Sequence, residues 1–192
     1  MKNSKISTIA QIAVIAAVMC VLGPLTLPIG PVPISLTPFV IFLGVYILGM
    51  KKGTVAVIIY VLLGAFGIPV FSSFSGGIGK IMGPTGGYII GYIFMALVAG
   101  FFIDKFYKNI PLQVIGMAIG LFVRCYGIGT VWLKYQMGIT FAQALAVGVI
   151  PFIALDLVKM AIAIVLGRAV RYGLIRAGVM PNPVKNNKAK AA

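Results

Sequence analysis

Along the chain, long apolar runs alternate with short clusters of Gly, Pro, Lys or Arg. The runs at 6–22, 34–50, 53–66, 85–103, 110–133 and 151–170 predict six membrane-spanning helices. A helix rises about 1.5 Å per residue, so about 20 apolar residues cross the hydrocarbon core. The first three runs are shorter than that. They require little tilt, a locally thinned bilayer, or an early end in a water-filled cavity. The two halves of the chain differ in run length and loop character, and no internal repeat relates them, which argues against an inverted-repeat transporter.

Composition agrees with the pattern. Of 192 residues, 61% are hydrophobic and 9% charged, against about 25% charged in a soluble domain. The expectation is an all-α integral membrane protein with irregular outer loops: one six-helix domain over 1–180 and a polar, basic, disordered tail over 181–192. Lys2 and Lys5 before the first run resemble a signal peptide. With no small-residue cleavage site before Gly23-Pro24, the segment reads as a retained first span. The net charge is +14, which in a soluble protein would suggest nucleic acid. Here the cations cluster at the ends of runs. Placing both termini in the cytoplasm leaves only Lys80, Arg124, Lys134 and Lys159 of the 16 basic residues for the outside or the membrane interior. That is the positive-inside pattern, and nucleic acid is not needed to explain the charge. There is no His, and there are only two acidic residues and two cysteines. A metal centre and most acid–base chemistry are thereby disfavoured.

Two outer connections are too apolar for ordinary solvated loops. The stretch "GPLTLPIGPVPISLTP" (23–38) holds Pro24, Pro28, Pro31, Pro33 and Pro38 and cannot be a regular helix. The stretch "FGIPVFSSFSGGIGKIMGPTGGY" (66–88) is rich in Gly and Ser. Each reads either as a tight turn folded on the bundle or as irregular backbone lining a cavity. Within the second, "GGIGK" lacks the spacing and the following Ser or Thr of a phosphate-binding loop, so no ATP site is expected in this chain. "GPTGGY" (83–88) is either a helix-entry turn or a place where backbone approaches a ligand. Loop 66–83 has the composition of a lid, with glycine hinges and Phe71 and Phe74 to cover an apolar ring. Residues 140–150 predict a short surface helix with Thr140 as its N-cap. Ala13 and Ala17 form a small-xxx-small pair that serves internal packing or docks a partner.

The intramembrane charges are the sharpest signal. Asp156 and Lys159 lie at i, i+3 on one face of the last span, in its outer third. They are either a self-neutralising pair that pins helices or the polar floor of a ligand site entered from outside. Intramembrane ionisable groups favour the second. Arg124, in the fifth span, needs an anion that Asp156 can supply.

"GPVPISLTPF", "YVLLGAFGIPVFSSFSGGIGKIMGPTGGYIIGY" and "AQALAVGVIPFIALDLVKMAIA" together resemble the BioY family, the biotin-specific S-components of energy-coupling factor (ECF) transporters, over about residues 10–173. The resemblance implies six helices and high-affinity capture of biotin at the extracellular side of a prokaryotic plasma membrane. It implies no enzyme activity. It also implies a partner module of a transmembrane coupling protein and two ATPases, which bind the ATP. Ala13 and Ala17 match the family's docking pair. The ligand residues it implies are Asp156 and Lys159 and the segment Thr85, Gly86, Gly87 and Tyr88; Val32, Ser35, Phe71, Phe74 and Ser75 are candidates for the walls around an apolar ring, and Arg124 joins the set by charge balance. "GMKKG" stands where the family often has Pro-Arg-Arg, and Arg124 stands where an uncharged residue is common. The competing readings are a binder or stand-alone facilitator for another small anion and, from a different class, a small membrane enzyme.

Overall fold

The structure is a computed structural model that describes residues 4–27 and 32–180. The polar tail and the middle of the proline-rich stretch lie outside the described residues. Five helical stretches are long and apolar enough to cross a membrane: Lys5–Leu22, Thr37–Ala65, Gly86–Lys105, Ile110–Met137 and Phe141–Arg176. The second is interrupted, so the described residues hold six membrane-embedded helical segments, as the apolar runs predict.

Helix α1 (Ser4–Leu22) leads into two antiparallel strands, β1 (Thr26–Leu27) and β2 (Ile34–Ser35), with Thr26 opposite Ser35. This hairpin is why the second span begins at Thr37 and not at Ile34. Helix α2 (Thr37–Ala65) breaks at Gly49, whose φ of 81° and ψ of 177° suit only a residue without a Cβ. The chain turns there, and the following segment starts with the Met50 amide donating to the Asp104 carboxylate at 2.7 Å. A carboxylate at a helix N-terminus satisfies a free N–H and meets the positive end of the helix dipole. Arg171 secures the other side of Asp104 at 3.5 Å and donates to the Tyr46 carbonyl at 3.0 Å. Tyr46 in turn donates to Gln113, whose amide reaches the Phe106 and Tyr107 carbonyls. Polar groups at this end are therefore paired with one another across five of the six segments.

Helix α2 is the centre of the bundle and packs on α1, on α4 (Gly86–Lys105) and on α8 (Ile153–Arg176). Met19, Phe42, Val45, Tyr60, Met95 and Met117 fill the core between them. Small residues bring the helices close: Gly44 lies against Ile15, and Gly167 against the Tyr46 ring. Between α2 and α4, the outer connection carries a one-turn 3-10 segment (Ser72–Phe74) and a short helix, α3 (Ile78–Met82). The fifth span is not one regular helix. Helix α5 (Ile110–Phe122) passes into a π-helical segment (Val123–Thr130) and then α6 (Val131–Met137). Thr130 Oγ1 donates to the Cys125 carbonyl at 2.7 Å across that wider turn. The predicted surface helix is α7 (Phe141–Gly148), closed at its start by a reciprocal Thr140–Gln143 capping box. A 3-10 turn (Ile150–Phe152) then feeds α8.

Candidate functional site

Asp156 projects from the first turn of α8 and is 4% exposed. Its Oδ1 is 2.9 Å from Lys159 Nζ, one turn along the same face. The same ammonium donates to the Ser35 carbonyl at 2.8 Å, which ties the proline-rich connection to the last helix. Ser35 Oγ accepts from the Thr37 amide at 3.0 Å, so one residue anchors both the start of α2 and the lysine. On the other side, Arg124 Nη1 stands 3.8 Å from Asp156 Oδ2. The Arg124 guanidinium lies 4.8 Å from the Tyr92 ring centroid and 5.6 Å from that of Tyr88. Cation–π contact of this kind stabilises a desolvated guanidinium.

Most of these groups line one small, tight cavity. Val32, Pro33, Pro38 and Phe152 supply apolar walls, Tyr88 an aromatic one, and Ser35, Arg124, Asp156 and Lys159 the polar ones. A few convergent polar groups among apolar walls are the usual make-up of a small-molecule site. A polar end holding both signs of charge, facing aromatic and aliphatic walls, suits a small ligand with donors, acceptors and an apolar ring.

The structure thus brings together Asp156, Lys159, Arg124, Tyr88, Val32 and Ser35. Gly86 and Gly87 stand one step back. Any side chain at Gly87 would run into Trp132 and the Ile128 carbonyl, and Trp132 Nε1 donates to the Gly83 carbonyl at 2.9 Å. That segment docks the start of α4 on α6 and so positions Tyr88. Thr85, buried at the same helix start, is not among the lining residues. Phe71, Phe74 and Ser75 lie away from the cavity. Phe71 is buried edge-on to Tyr60 at 5.7 Å and fills the space over Gly64. Phe74 is 66% exposed, and Ser75 Oγ donates to the Ser72 carbonyl. Phe152, Cys125 and Gly148 line the cavity too, although residue type alone does not mark them. Gly148 and Phe152 reach it from the end of α7 and from the 3-10 turn that feeds α8, so no single helix face links them to Asp156 and Lys159.

The sequence profile described as the BioY family matches residues 1–176. The chain belongs to the BioY family. Among BioY relatives, the biotin transporter BioY of Thermotoga maritima is 41% identical over 142 residues, 72% of this chain and 80% of that protein. Biotin transporter BioY2 of Lactococcus lactis subsp. cremoris is 34% identical over 178 residues, covering 92% and 94%. A crystal structure of the S-component for biotin from an ECF-type ABC transporter superposes with a TM-score of 0.83 at 31% identity, covering 90% of this chain and 94% of that one. The six-segment bundle is therefore a BioY fold in sequence and in architecture, and the family is one of transporters.

Proposed function

We propose that this chain is the biotin-capturing S-component of an ECF-type uptake transporter. It sits in a prokaryotic plasma membrane with both termini in the cytoplasm and its site facing outward. The Asp156–Lys159 pair at the polar end of a partly aromatic cavity carries the reading. Biotin offers two ureido N–H donors, a ureido oxygen, an apolar thiophane ring and a carboxylate. Asp156 accepts from a ureido N–H. Lys159, with its third proton uncommitted to Ser35 or Asp156, donates to the ureido oxygen. Val32, Tyr88 and Phe152 enclose the thiophane. A hydrogen bond to a charged group contributes about 1.5–3 kcal/mol, so a few of them with ring burial reach nanomolar affinity, about 12 kcal/mol.

The chain lacks a phosphate-binding loop, so ATP belongs to partners: two ATPases and a transmembrane coupling protein. Support for a docking face comes from α1. Ala13 and Ala17 are exposed, with Ile15, Ala16 and Met19 turned into the bundle. They line a long apolar groove with Ile9, Val55 and Ile59. A partner helix fits such a groove because small residues let backbones approach.

Isothermal titration of biotin into purified protein tests the capture role. Asp156→Asn and Lys159→Ala should each weaken binding by about tenfold or more, since removing one partner of a buried pair strands the other at about 3–5 kcal/mol. Wild-type affinity in either folded variant would leave the pair as a helix pin only.

A further inference from the structure

We propose that, in the free chain, the apolar groove on α1 holds an anionic phospholipid of the cytoplasmic leaflet, with an acyl chain along the groove and the headgroup phosphate at Lys5 and Lys52. The inference goes beyond the biotin reading and rests only on its placement of both termini in the cytoplasm. The groove lies between α1 and the second half of α2, and both segments start on that side. From Ile9 and Val55 at the inner end to Cys20 and Leu63 at the outer, it is lined by apolar side chains and one thiol. Ile9 to Cys20 rises about 16 Å at about 1.5 Å per residue. Half of a hydrocarbon core about 30 Å thick is about 15 Å. The groove is thus one leaflet deep, which is the reach of an acyl chain.

Its inner mouth is cationic. Lys5 precedes Ile9 by four residues and Lys52 precedes Val55 by three, so each stands on the same helix face as the groove lining beyond it. Lys52 is only partly exposed and is not a free surface lysine. Its ammonium donates to Gln11 Oε1 at 3.0 Å across the seam between α1 and α2. Gln11 is steadied in turn by Ser7 Oγ at 3.2 Å and by the Val179 carbonyl at 3.4 Å. Among the described residues Gln11 is the one acceptor of that ammonium, which leaves two of its three protons for another. The two acidic side chains of the chain are committed elsewhere, Asp156 to Lys159 and Asp104 to Arg171. The missing anion therefore comes from outside the chain. The cytoplasmic leaflet supplies it, since its anionic headgroups attract Lys and Arg at the membrane surface. A slot one leaflet deep, apolar along its length and with a pinned cation at its headgroup end, has the shape and charge of such a lipid. A partner helix that enters the groove must displace it.

The test uses the full chain in phosphatidylcholine nanodiscs. These are doped at low mole fraction with phosphatidylglycerol or phosphatidylcholine carrying a photoreactive diazirine on one acyl chain, and crosslinked residues are mapped by mass spectrometry. In the groove, the wild type should crosslink phosphatidylglycerol about twentyfold more than phosphatidylcholine. Lys5→Gln and Lys52→Gln should each reduce that preference about fivefold. Ala17→Trp should remove groove crosslinks from both lipids. Biotin affinity in the same nanodiscs should stay within about twofold throughout. Equal wild-type yields for the two headgroups, or crosslinks spread evenly over every lipid-facing helix, overturn the inference. So does a preference that survives in the Lys5→Gln, Lys52→Gln double variant. A groove that crosslinks neither lipid belongs to a second copy where the chain runs as a dimer, and to the partner helix alone where it runs as a monomer; both results overturn the inference. A chain that selects the anionic lipid but does not bind biotin upholds the inference and refutes the biotin reading alone. The wild-type headgroup comparison stands even where a variant fails to fold.

Discussion

Gly49 is where a single residue decides the path of the chain. Its backbone lies in a region that only glycine occupies readily, at about 1–3 kcal/mol for other residues. A Cβ built there would also meet both Asp104 carboxylate oxygens at 2.8 Å. Gly49→Ala should therefore lower the unfolding temperature of detergent-solubilised protein by several degrees, given about 2–4 °C per kcal/mol in a chain of this size. An unchanged melting curve would mean that the turn is not held by this residue. Other residues are legible in the sequence alone. Asp156 and Lys159 stand out because charge is rare in an apolar span and their spacing shares a face. Arg124 stands out as a cation in want of an anion, but nothing in its neighbours tells that Tyr88 and Tyr92 flank it. Phe71 and Phe74 show where residue type runs out. An aromatic side chain in an apolar outer loop has the same sequence signature whether it faces a ligand, a core or water, and here one is under Gly64 and the other outside.

At the scale of elements, apolar runs locate the spans because the bilayer demands length and apolarity and little else. Their ends are less legible. The β1–β2 pairing shortens the second span at its start, since Ile34 and Ser35 read equally well as the opening of a helix. The π-helical stretch within the fifth span leaves no periodicity to follow. It packs against α4, with Arg124 over Gly91. Helix α7 is predictable because its cap is local chemistry. Thr140→Ala removes the side-chain acceptor for the Gln143 amide and should cost about 1 kcal/mol. Hydrogen exchange should show it as faster exchange of amides 141–143, with the α4 core amides unchanged. Unaltered protection in that turn would indicate that tertiary packing alone holds α7.

For the whole molecule, the binding cavity and the apolar groove on α1 occupy separate surfaces, lined by different residues. Ala17→Trp should fill the groove, leave biotin affinity within about twofold and abolish ATP-driven uptake in cells that carry the partner subunits. Parallel loss of binding and uptake would assign that face to internal packing. Helix α8 is held by charge at both ends, through Asp156 to Arg124 and through Arg171 to Asp104. It also follows all the other described helices along the chain. Lys159 finds its acceptor in Ser35, 124 positions earlier. Until α8 is integrated, Arg124 and Asp104 wait in the bilayer or at its edge without their counter-ions, and the cavity lacks Phe152, Asp156 and Lys159. Synthesis from the N-terminus thus imposes an order: the earlier spans form an incomplete cavity, and its capacity to recognise a vitamin arrives in one step when α8 joins them.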